Sequence, residues 1–75
     1  SAISEAGENK LSSIFNSCLE AIGKPIESLT KSDRLRLISL LKREKAFAFS
    51  KSVPYVSRRL NLSRYTIYKY IKESG

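Results

Sequence analysis

Between Leu11 and Ile22 the apolar residues Leu11, Ile14, Phe15, Cys18, Leu19 and Ile22 fall at i, i+3, i+4, i+7, i+8 and i+11. That spacing puts all six on one face of an α-helix, whereas a strand would need a period of two. The spacing predicts a helix from about Asn9 to Ile22. Gly23 then supplies a stop, and Pro25 forbids continuation. A chain of 75 residues that opens on such a stripe must bury it against other elements of the same chain.

Three further helical blocks supply those elements. Thr30-Lys31-Ser32-Asp33 is a start signal, a capping box shortened by the use of Asp in place of Glu. It opens a helix running to about Arg43 or Glu44, with Leu35, Leu37, Ile38, Leu40 and Leu41 as a broad apolar face. Arg34, Arg36, Lys42 and Arg43 are left for solvent or a partner. A third helix is expected over about Val53–Leu60, with Ser52 as its N-cap and Pro54 in its first turn. A fourth follows Ser63 and runs to about Glu73, with Ile67, Tyr70 and Ile71 turned inward. Between the second and third helices, Phe47 and Phe49 alternate with small residues. One lone extended piece cannot make a sheet, so both are read as plugs sealing the core. The expected fold is all-α, a small four-helix domain over residues 9–75. Residues 1–8 are polar and acidic, and are expected to be disordered or foreign to the domain.

Composition narrows the chemistry. The chain has no His and one Cys, so no set of ligands for a structural zinc exists. A single Cys cannot close an internal disulfide, which fits a reducing, cytoplasmic setting. Cys18 lies on the apolar stripe and reads as a core residue rather than a reactive thiol. Nothing approaches the ~18 apolar residues of a membrane span, and the N-terminal stretch does not read as a signal peptide. Without His, a glycine-rich phosphate loop or paired carboxylates at a plausible site, the chain is expected to be no enzyme and to use no cofactor, metal or catalytic residue.

The net charge of +7 is unevenly spread. Residues 1–30 carry Lys10 and Lys24 against four Glu, while residues 51–75 carry six basic residues against Glu73 alone. A basic C-terminal half attracts polyanions, with nucleic acid the default partner.

Residues 53–73 focus that charge. This segment resembles the helix-turn-helix pattern, in which one helix crosses the DNA backbone and a second enters the major groove. Val56, Leu60, Leu62, Ile67 and Tyr70 would fill the wedge between the helices, and Ser57 is small enough to let them approach. Asn61 stands where the turn needs positive φ, which Asn tolerates. Ser63 caps the recognition helix, 64–73. Arg64, Tyr65, Tyr68, Lys69 and Lys72 then share its outer face. Arg64 and Lys69 are suited to guanine edges, Tyr65 and Tyr68 to base edges, thymine methyls or phosphates, and Ser63 and Thr66 to phosphates. Arg58 and Arg59 on the preceding helix are candidate clamps on the backbone.

The resemblance extends further. Ile22-Gly-Lys-Pro-Ile-Glu-Ser-Leu-Thr-Lys-Ser-Asp-Arg-Leu, Leu40-Leu-Lys-Arg-Glu-Lys-Ala-Phe and Val56-Ser-Arg-Arg-Leu-Asn-Leu-Ser-Arg-Tyr-Thr-Ile-Tyr-Lys-Tyr-Ile are similar to the C-terminal domain of YheO-like transcriptional regulators. The similarity covers roughly residues 11–73. It implies a bacterial source, and a PAS-like sensor domain that normally precedes this one. The resemblance also implies that residues 1–75 are a fragment without that sensor, through which a small-molecule effector would act. One departure is Lys45, where the family pattern leads one to expect Gly before Ala46-Phe47. The implied partner is double-stranded DNA. One module covers only a short site, so a homodimer of the full-length protein is expected on a two-fold operator. Two rival readings are the DNA-targeting domain of a site-specific recombinase and a helical protein-interaction module. Residues 11–44, with the Gly-Lys-Pro junction and the two helices that precede the helix-turn-helix, match the regulator better and argue against the first. The Arg, Tyr and Lys face of the last helix argues against the second. A helix lying on a membrane would need an unburied apolar face, and here the apolar stripes are used by the core.

Overall fold

The computed structural model describes residues 2–74, and the side chains of residues 9–74. Four α-helices follow one another: α1 (Ala2–Ile22), α2 (Lys31–Arg43), α3 (Ser52–Leu60) and α4 (Arg64–Glu73). Short 3-10 turns, Ile26–Ser28 and Ala46–Ala48, lie in the first two connections. No strand occurs among the described residues. The helical backbone of α1 begins at Ala2, ahead of the start near Asn9 that the apolar stripe sets. Residue 1 and the side chains of residues 1–8 lie outside the described residues. No helix is long and apolar enough to cross a membrane, among the described residues.

The ends of α1 and α2 follow the expected chemistry. Gly23 ends α1 at φ +80°, and a Cβ there would meet nothing within 4 Å. The glycine therefore serves the backbone angle, not a close approach. Thr30 caps α2: its Oγ1 accepts from the Asp33 N–H at 3.1 Å, and Asp33 Oδ2 accepts from the Thr30 N–H at 3.0 Å. The short box closes with Asp. Lys24 Nζ also donates to Asp33 Oδ2 at 2.8 Å, which pins the Gly-Lys-Pro turn to the head of α2.

Phe15, Leu37, Ile38, Leu41, Val56 and Ile67 are fully enclosed, one or more from every helix. Around them lie Leu11, Cys18, Leu29, Ala46, Val53, Leu60 and Tyr70. α1 packs on α2, and α4 packs on both α2 and α3. Cys18 is buried; that burial, with the negative Glu44 second, pushes its thiol pKa up and suppresses the thiolate.

The α2–α3 connection differs from its expectation in two ways. The residue that seals the core is Ala46, which is fully buried; Phe47 and Phe49 are half-buried and pack on its edge. Ser52 is the first residue of α3 and is itself buried, while Lys51 occupies the N-cap and bonds through no side chain. Arg34 is not a solvent residue either. It is half-buried, with Nη1 donating to the Leu29 carbonyl at 2.9 Å.

Two outcomes are expected. Ile38→Ala should lower the unfolding free energy by ~2–5 kcal/mol in a urea titration, because a filled core site is emptied. The carboxyl of Asp33 is held down to about 2 from 3.8, first by the Lys24 hydrogen bond and then by the Thr30 N–H. Its stabilisation is therefore complete above the unfolded value and is lost as pH falls toward about 2. Asp33→Asn should flatten the melting temperature against pH across that window and leave its slope near neutrality unchanged.

Candidate nucleic-acid interface

The junction between α3 and α4 is built by backbone geometry. Asn61 sits at φ 55°, ψ 45°, in the left-handed region. Its N–H donates to the Arg58 carbonyl at 3.3 Å, and the Leu62 N–H reaches back to the Ser57 carbonyl at 3.0 Å. These bonds satisfy carbonyls that the end of α3 would otherwise leave open. Ser57 contributes more than small size, since its hydroxyl donates to the Leu62 carbonyl. The sequence pattern marked this position only as one for a small residue.

Ser63 then opens α4 as expected. Its Oγ accepts from the Thr66 N–H at 3.1 Å and lies 2.8 Å from Thr66 Oγ1. Ile67 and Tyr70 face the core, together with Val56 and Leu60 of α3, and Leu62 is half-buried. The inner side of α4 is fixed in this way, which dictates what its outer side shows. Arg64, Tyr65, Tyr68, Lys69 and Lys72 are all exposed, Tyr65 by 77% and Tyr68 by 60%. Residues 65, 68, 69 and 72 fall at i, i+3, i+4 and i+7, one stripe along the helix. Among the described residues none of Arg64, Lys69 and Lys72 has an acidic partner. Exposed aromatic rings flanked by unpaired cations suit a ligand that is both flat-faced and anionic.

The two arginines of α3 take different places. Arg58 is exposed, its guanidinium 5.6 Å from the centre of the Tyr55 ring. Arg59 is half-buried and turned toward α1. It donates to Tyr55 Oη at 2.6 Å and to Asn16 Oδ1 at 3.0 Å, and lies 4.4 Å from the centre of the Phe15 ring. Phe15 and Tyr55 themselves meet edge to face at 5.7 Å. Arg59 thus ties α3 to α1, while Arg58 remains open to solvent.

Lys42 was not singled out from the sequence as a site residue. Its Nζ donates to the Ile71 carbonyl at 3.0 Å, joining α2 to the last turn of α4. A cation suits the carbonyl end of a helix. The partners are 29 positions apart, so no local signal announces the bond.

The turn is testable by stability. Asn61→Val should lower the unfolding free energy by ~1–2 kcal/mol, the penalty for a side chain with a branched Cβ in the left-handed region. Asn61→Gly should be tolerated, with urea midpoints measured for both variants.

A family model described as an HTH domain matches residues 10–72, a span that includes the end of α1 and reaches into the last turn of α4. Comparison with curated proteins and with solved structures returns no match. The matched span takes in α3, the turn and α4 as far as Lys72, with α2 and most of α1, and the chain belongs to the HTH domain family.

Proposed function

We propose that residues 9–75 are the sequence-specific DNA-binding domain of a bacterial transcriptional regulator of the YheO-like kind. α4 is its recognition helix, lying in the major groove. The observation that carries this reading is the outer stripe of α4. Arg64, Tyr65, Tyr68, Lys69 and Lys72 stand exposed on a helix whose opposite face is locked into the core.

Arg64 and Lys69 donate to guanine O6 and N7, and Tyr65 and Tyr68 meet base edges and thymine methyls. Ser63, Thr66 and Lys72 contact phosphates beside the groove, and Arg58 holds the backbone from α3. Arg59 contributes chiefly by holding α1 against α3. The full-length protein places a PAS-like sensor ahead of this domain. It acts in the cytoplasm, binds a two-fold operator as a homodimer, and takes its small-molecule signal through the sensor.

The test is a salt titration of binding to random duplex DNA, joined to selection from a randomised duplex library. Affinity should fall with salt at a slope of about −0.9 per phosphate contact, and selection should enrich a palindrome. Absence of duplex binding at low salt overturns the reading. Arg64→Ala should weaken binding to the selected operator by ~1–3 kcal/mol and relax one base position. Arg58→Ala should weaken operator and random duplex alike.

A further inference from the structure

Two other cations stand in an unusual conformation. Lys45 (φ 62°, ψ 28°) and Lys51 (φ 63°, ψ 19°) flank the Ala46–Ala48 turn, and both occupy the left-handed region. With Asn61 they are the non-glycine residues of positive φ among the described residues. At position 61 the chain supplies a residue that tolerates this region. At 45 and 51 it supplies Lys, whose Cβ clashes there with its own backbone. The backbone uses these angles, since the Ala48 N–H donates to the Lys45 carbonyl and the Tyr55 N–H to the Lys51 carbonyl, each at 3.1 Å, but the side chains add nothing to the fold. Both side chains are exposed, and neither makes a hydrogen bond or an ion pair among the described residues. A strained residue whose side chain does nothing for the fold points to a task outside it.

The location specifies that task. Lys51 heads α3 and lies seven residues before Arg58, about two helical turns along the same side, and both are exposed while Tyr55 between them is half-buried. The Lys42–Ile71 bond holds the end of α2, where this connection begins, against the last turn of α4. From Arg34 to Lys72 the chain carries eleven basic residues and one acidic residue, Glu44, beside Lys45. A polyanion docked on α4 and Arg58 therefore meets little charge that would repel it from this connection.

We propose that the α2–α3 connection is a second phosphate-binding element, in which Lys45 and Lys51 each neutralise a phosphate of the duplex outside the segment read by α4. This rests on the DNA-binding reading above and extends its footprint. The contacts are electrostatic, so they raise affinity for every sequence and add no discrimination among bases.

The experiment is the salt dependence of duplex binding by the wild-type chain, Lys45→Gly, Lys51→Gly and the double variant, each on random DNA and on the selected operator. Glycine suits the left-handed region, so the fold should be retained, with cooperative thermal unfolding as the check. Lys45→Asn and Lys51→Asn repeat the test with a side chain that also tolerates positive φ. Each single variant should reduce the magnitude of the log–log salt slope by about 0.9, and the double variant by about 1.8. The ratio of operator to random affinity should stay the same, and the Lys→Arg variants should keep the wild-type slope. A folded double variant with the wild-type slope overturns the second element while leaving DNA binding by α4 standing. A wild-type chain that binds no duplex overturns the DNA-binding reading, and this proposal with it.

Discussion

The backbone of Asn61 turns left-handed, and the placing of α4 follows from that turn. The reciprocal pair between Ser57 and Leu62 closes it: one N–H donates back to a carbonyl, and one hydroxyl donates forward to the other. With the turn closed, Val56 and Leu60 on one side and Ile67 and Tyr70 on the other enter the same core as Leu37, Ile38 and Leu41. α4 cannot rotate about its axis without withdrawing Ile67 and Tyr70 from that core, which would expose apolar surface to water. The outward stripe of arginine, tyrosine and lysine is therefore a consequence of what is buried beneath it.

Ten of the fourteen basic residues fall into two groups by what they touch. Lys24, Arg34, Lys42 and Arg59 are engaged inside the molecule, each on an oxygen of another segment. They join the first turn to α2, α2 to the turn before it, α2 to α4, and α3 to α1. Arg58, Arg64, Lys69, Lys72, Lys45 and Lys51 have no such oxygen partner among the described residues. A positive surface on a chain this small owes part of its charge count to structural ties, so net charge overstates what is free to meet a polyanion.

The Arg59 tie has a further consequence for the architecture. Asn16 and Phe15 of α1 meet Arg59 and Tyr55 of α3. The N-terminal helix is in this way coupled to the first helix of the helix-turn-helix unit by a hydrogen-bonded and stacked contact as well as by apolar burial. A displacement of α1 would be felt at Tyr55, whose ring also lies beside the exposed Arg58.

Much of this was legible in the residues because it is local. Helical spacing located all four helices, Thr30 with Asp33 and Ser63 announced two helix starts, and Gly23 and Asn61 announced two ends. Each signal acts within about one helical turn, where chain connectivity already brings the partners together. Packing across the chain decided the rest. Adjacent arginines 58 and 59 look alike in the sequence, yet one step of about 100° around the helix sends one to solvent and the other onto α1. Lys42 found the Ile71 carbonyl, Ala46 rather than a phenylalanine became the seal, and Lys45 and Lys51 took left-handed angles that no pattern of polarity encodes. The sequence alone determined which elements form and which face of each is apolar, because propensity, caps and periodicity are short-range. Only the tertiary structure decided which cations are bound within the fold and which remain free, because that depends on oxygens supplied from distant parts of the chain.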